Sequence, residues 1–129
     1  MLEKVVNLDN LGVFKKGAPK ALPFEKATLI YAENARGKST LSAVLQACST
    51  GDAAAVEARA TIGGTAKPKI HFRFLTNGTG TGVIFDAGKW QAAEPRVLVF
   101  DQGFVERNVY AGSEVSPDHH QALLDFALG

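Results

Sequence analysis

Hydrophobic positions in this chain follow three different spacings, and each predicts a different element. Residues 4–8 (KVVNL) read as a short strand, and residues 11–14 (LGVF) continue it or pair back on it. Residues 15–24 (KKGAPKALPF) carry two prolines and a glycine and read as a loop. Residues 27–32 (ATLIYA) form an unbroken apolar run with a β-branched and aromatic bias. A strand buried on both faces, as in a parallel sheet, has that pattern. Then Leu41, Val44, Leu45 and Cys48 recur at the spacing of a helix with one buried face. Gly51 supplies a C-terminal stop. Asp52 is an N-cap for a second short helix within DAAAVEARA.

From residue 62 the period changes to two. IGGTAKPK is a turn region, and in KIHFRFL the apolar Ile70, Phe72 and Phe74 alternate with His71 and Arg73. This is a half-exposed strand, with His71 facing solvent. Asn77-Gly78 in TNGTGTG marks a hairpin turn, and VIFDAGKW is the antiparallel partner. RVLVF, residues 96–100, reads as another apolar strand, and VERNVYAG as including a short helical turn. A terminal helix has Ser116 as N-cap, Pro117 in its first turn and Leu123, Leu124, Ala127 and Leu128 on its apolar positions. The layout is mixed α/β.

Composition narrows this picture. A chain of 129 residues suits one domain, and 46% apolar with 21% charged residues suits a folded protein. The formal net charge is +1, so no global basic field marks nucleic-acid binding. Lys15, Lys16 and Lys20 cluster locally and read as a solvated loop. The single cysteine, Cys48, excludes an internal disulfide, reads as core filler and fits a reducing, cytoplasmic compartment. His119 and His120 are adjacent, which points them in different directions on a helix and disfavours a shared metal. No apolar run reaches the ~20 residues of a membrane helix, and charges interrupt the N-terminus where a secretory signal needs an apolar stretch.

The candidate chemistry lies in LIYAENARGKSTLSAVL, residues 29–45. Gly37-Lys38-Ser39-Thr40 ends like the phosphate-binding pattern G-x-x-x-x-G-K-[ST], but Ala32 stands at the first glycine position. A phosphate cradle needs converging backbone N–H groups, a helix N-terminus aimed at the anion, and a cation. An apolar run enters this loop and an amphipathic helix leaves it. Lys38 is placed to reach β- and γ-phosphates, Ser39 to offer its hydroxyl to Mg²⁺, and Thr40 to supply a second hydroxyl. Ala32 is tolerable with a negative φ. Ala35 costs roughly 1–2 kcal/mol if its backbone is left-handed. Arg36 is a solvent-exposed loop residue within reach of phosphate.

Asn34-Ala35-Arg36-Gly37-Lys38-Ser39-Thr40 resembles the N-G-x-G-K-S-T segment of ABC-type ATPase heads, the group that spans transporters, SMC proteins and DNA-repair ATPases. VLVFDQGFVERNVYAG, residues 97–112, is similar to their Q-loop region, an apolar strand followed by a glutamine, here Gln102. With the closing ALLDFALG, the pattern is most similar to the N-terminal part of AAA_13-type ATPases. That family includes the ATPase halves of anticodon nucleases, and a long coiled coil splits its heads. The resemblance implies a P-loop NTPase-like α/β fold with a mixed sheet, an antiparallel section and a few helices. It implies ATP and Mg²⁺ as ligands, with Asn34, Ala35, Arg36, Gly37, Lys38, Ser39 and Thr40 on the phosphates and Ser39 and Gln102 on the metal. Asp101 ends an apolar strand as a Walker B aspartate does, but no acidic residue follows it. Phe14 lies where some such heads stack an aromatic ring on adenine; core packing is the competing role.

A signature LSGG-type motif, a Walker B strand ending in Asp-Glu and a switch histidine do not occur in the sequence. In the resembling family they follow the coiled coil. Residues 1–129 are therefore expected to be one partial ATPase domain, an N-terminal lobe without hydrolytic activity alone. Its partners would be the C-terminal lobe of its own head or a second head in a dimer, with nucleic acid only in a full-length context. The other class of reading is a non-catalytic interaction module whose phosphate loop has decayed. A small P-loop kinase is disfavoured, because no arginine-bearing lid or acceptor site is evident.

Overall fold

The computed structural model describes residues 1–17, 23–94, 96–101 and 104–105. The chain divides into two compact units, Met1–Val97 and Leu98–Gly129. The first unit carries strands β1 (Leu2–Leu11), β2 (Phe14–Gly17), β3 (Lys69–Thr76), β4 (Thr79–Asp86) and β5 (Lys89–Trp90), with helices α1 (Lys38–Thr50) and α2 (Ala53–Glu57). The strands form one sheet in the order β2-β1-β3-β4-β5. Every neighbouring pair is antiparallel. The domain is thus a small mixed α/β structure on an antiparallel sheet, where the sequence led us to expect a mixed sheet with parallel strands.

Local chemistry explains the hairpins. Asn77 and Gly78 take φ of 50° and 80°, and Thr76 pairs with Thr79 across them. A two-residue turn with both φ positive matches the right-handed twist of its strands. Ala87 and Gly88, at 53° and 83°, make the same turn between β4 and β5. Strand β1 pairs with β3 through two bulges, one between Leu2 and Lys4 and one between Val5 and Asn7. Each adds a residue, so Leu2, Val5 and Leu8 at spacing three face Phe74, Phe72 and Ile70 at spacing two. Bulges re-aim side chains in this way. They put Val5 and Leu8 in the core although β1 does not alternate.

The core joins Val5, Leu8, Leu11, Ile70, Phe72, Phe74, Val83 and Phe85 of the sheet with Val44, Ala47 and Cys48 of α1 and Val56 of α2. Trp90 packs beside it, stacked on Phe72 and edge-on to Phe85. Helix α1 ends at Gly51, whose φ of 74° lets its N–H return to the Ala47 carbonyl. Helix α2 starts at Asp52, whose carboxylate accepts from the Ala55 N–H at 3.0 Å. Both boundaries agree with the sequence.

Two expected strands are not strands. Residues 27–32 run without a strand partner among the described residues, and Leu29 and Tyr31 are 94% and 88% exposed. Residues 96–100 likewise form no strand, and Leu98 and Phe100 are exposed. Burial on both faces needs neighbours on both sides, and the five-stranded sheet offers residues 27–32 none. Gln102, the 106–112 turn, His119, His120 and the 116–128 helix lie outside the described residues.

Candidate functional site

The site is built where the exposed 27–32 run meets α1. Ala32 keeps an ordinary negative φ, whereas Ala35 and Gly37 are left-handed at 61° and 89°. Alternation of left-handed with ordinary residues turns successive N–H groups toward one side, the arrangement called a nest. Gly37 is also the N-cap of α1. Its carbonyl accepts the first helical bond, from the Leu41 N–H at 2.9 Å. The N–H groups of Lys38, Ser39 and Thr40 precede that bond, no side chain caps the helix start, and its first turn holds no acidic residue. Unsatisfied donors and the helix dipole make such an end favourable to an anion.

Lys38 folds back over the loop. Its Nζ donates to the Ala32 carbonyl at 2.5 Å and to the Glu33 carbonyl at 2.8 Å. Two of three ammonium donors thus fix the side chain across the loop, and one is left for an anion. Arg36 is exposed and pairs with Glu33 at 3.4 Å. Solvent screens that contact, so it orients Arg36 more than it stabilises the fold. Ser39 is exposed at the helix start, beside Thr40. The structure therefore gathers Asn34, Ala35, Arg36, Gly37, Lys38, Ser39 and Thr40 on one loop and helix end. Gln102 lies outside the described residues and cannot be placed with them. Among the described residues no group of three or more His, Cys, Asp or Glu is clustered as metal ligands.

The tip of the β1–β2 hairpin packs against this loop. A Cβ on Gly37 would lie 2.5 Å from Phe14 Cζ, and one on Gly12 would lie 3.1 Å from Thr40 Oγ1. The hairpin tip is held in turn by the stretch after α2: the Gly12 N–H donates to the Arg59 carbonyl at 2.7 Å, and the Thr61 hydroxyl to the Gly12 carbonyl at 3.0 Å. Between them opens a cleft of about 650 Å³ lined by Val13, Lys15, Thr40, Arg59, Thr61 and Ile62, among others. Its volume suits a small-molecule site. Two cations, Lys15 and Arg59, and the fully exposed Ile62 border it. The sequence reading missed Arg59 and Thr61. They follow a short helix with no periodic signal, and long-range bonds to Asn10, Leu11 and Gly12 at the hairpin tip bring them to the site.

No protein family, no curated protein and no solved structure matches this chain.

Proposed function

We propose that this chain is the ATP-binding lobe of an ABC/SMC-like ATPase, holding the phosphates of Mg-ATP on residues 34–40. The observation that carries the reading is the lysine. Lys38, the first residue of the uncapped helix α1, is tethered to two loop carbonyls, with one donor remaining. A triphosphate needs a cation at that place. The left-handed Ala35 adds support: alanine has not collapsed the turn that glycine more often makes. Ser39 would give its hydroxyl to Mg²⁺; the metal role that the resemblance implies for Gln102 falls outside the described residues. The 650 Å³ cleft next to Thr40 has room for the nucleoside.

Hydrolysis would need groups this sequence does not contain, so the lobe would bind rather than turn over nucleotide. The unpartnered 27–32 run supports that reading, since a strand beside it would bury Leu29 and Tyr31. The C-terminal lobe of the same head would supply it.

Exposed Leu29 and Tyr31, with an apolar groove of about 290 Å³ at Leu2, Phe24, Ile30, Leu41 and Leu45, also favour the second reading, an interaction module with a decayed loop. Titration with Mg-ATP in a calorimeter separates the two. On the first reading the chain binds, and Lys38→Ala weakens binding roughly 10–100-fold, the loss of a charged hydrogen bond. Absence of heat and of any rise in melting temperature, with Lys38→Ala identical to the parent chain, rejects it.

A further inference from the structure

The ring of Phe14 lies against Gly37. A Cβ built on Gly37 would lie 2.5 Å from its Cζ and 2.7 Å from its Cε2, and Val13 Cγ2 would be 3.0 Å away. Gly17, later in the same strand, would meet the ring only at ordinary contact distance, its Cβ 3.6 Å from Phe14 Cβ and 3.7 Å from Cδ1, and is kept small by the Leu8 carbonyl at 2.8 Å. The position at 37 therefore demands glycine twice, for its φ of 89° and for the ring beside it. Phe14 is partly buried and packs against the core cluster. Its own strand is registered by the pairing of Leu11 with Phe14, and the turn before it is pinned by Arg59 and Thr61. A rigid chain of contacts thus runs from the sheet through one ring to the residue that caps α1.

We propose that Phe14 is a positioning residue for the phosphate loop: its ring edge holds Gly37, and through it the Lys38, Ser39 and Thr40 amides, in the geometry that receives the anion. This rests on the proposed nucleotide site. It differs from a stacking role, in which the ring would offer a face to adenine. Here the ring's far edge is spent on Gly37. Preorganised donors bind without the cost of ordering them, and small displacements of such groups are expensive.

The two roles respond oppositely to Phe14→Tyr. A stacking ring tolerates a hydroxyl. A buttressing ring does not, because the hydroxyl extends from Cζ, the atom already closest to Gly37. The experiment uses the full chain and its Phe14→Tyr, Phe14→Leu and Phe72→Leu variants. Mg-ATP affinity is measured by calorimetry, and amide hydrogen exchange is measured at residues 41–44, the first turn of protected amides, beginning with the Leu41 N–H that bonds to the Gly37 carbonyl. Phe72→Leu is the core control, compared at equal distance below its own melting temperature. Phe14→Tyr and Phe14→Leu are each expected to weaken Mg-ATP about tenfold or more and to speed exchange at residues 41–44, while Phe72→Leu does neither. Parent-like affinity in Phe14→Tyr, or exchange at 41–44 no faster than in Phe72→Leu, overturns the proposal. If the parent chain binds no Mg-ATP, the nucleotide reading fails, and the exchange contrast alone decides whether Phe14 positions the loop.

Discussion

Replacing Ala35 by glycine is expected to stabilise this protein, against the usual sign of an alanine-to-glycine change. Ala35 has φ of 61°, where an L side chain crowds the following carbonyl at a cost of roughly 1–2 kcal/mol. Glycine removes that cost but gives the unfolded chain more freedom, worth about 0.4–1 kcal/mol in the other direction. The difference runs from nothing to about 1.6 kcal/mol, with the midpoints giving a net gain of about 0.8 kcal/mol. For a folded unit of this size that midpoint is a rise in melting temperature of about 3–6 °C. Urea denaturation followed by the fluorescence of Trp90, which stacks on Phe72 and contacts Phe85, reads the change.

Two companion variants set the scale. Ala87 has φ of 53° in the β4–β5 turn, far in sequence from the loop, and Ala87→Gly should stabilise for the same reason. Ala54 lies inside α2, and Ala54→Gly should destabilise by about 1 kcal/mol. If Ala35→Gly follows Ala54→Gly in sign while Ala87→Gly is stabilising, position 35 is not left-handed, and the nest inferred at the phosphate loop is wrong. If Ala35→Gly stabilises and also tightens Mg-ATP, alanine there is a cost borne by both fold and site.

Other outcomes follow from single contacts. Glu94 is buried beside Arg96, whose guanidinium donates to both its oxygens at 2.6 and 2.7 Å and to Thr76 Oγ1 at 2.9 Å. Those bonds hold the Glu94 carboxyl below the ordinary glutamate range, although burial pushes it the other way. A depressed folded value gives stability that is present above the unfolded pKa, about 4.3, and is lost as pH falls through the folded value. Glu94→Gln should therefore flatten the acid arm of a urea-midpoint-against-pH profile; an unchanged arm refutes this. Burial pushes the Cys48 thiol up to about 11, so the native chain should not react with DTNB at pH 8, and denaturant should release one thiol; stoichiometric labelling of the native chain within minutes refutes it. Leu29→Ser and Tyr31→Ser should each change stability by less than about 0.5 kcal/mol, because both side chains stand in solvent, whereas Phe72→Ala should cost about 3–5 kcal/mol. Equal losses from the two sets would mean that residues 29–31 are buried after all.

What the sequence discloses about this fold depends on how local its cause is. The Asn77-Gly78 turn, the Asp52 cap, the Gly51 stop and the α1 face are each fixed by residues within one turn of each other, and all are legible. The spacing of Leu2, Val5 and Leu8 is not, because the bulges that produce it answer to Phe74, Phe72 and Ile70 in another strand. Residues 27–32 mark the limit from the other side. Their apolar run records a demand for neighbours on both faces, but composition cannot say whether the described residues meet it, and they do not. The candidate site divides along the same line. Gly37 to Thr40 is readable as a motif, while the ring of Phe14, the Arg59 carbonyl and the Thr61 hydroxyl reach it only through long-range packing. The two halves meet at Lys38, whose anchors are the carbonyls of Ala32 and Glu33 at the end of that unpartnered run. Its ammonium is therefore only as well placed as a segment whose side chains stand in water. A strand laid against residues 27–31 would fix those carbonyls, and with them the cation, before any nucleotide arrived.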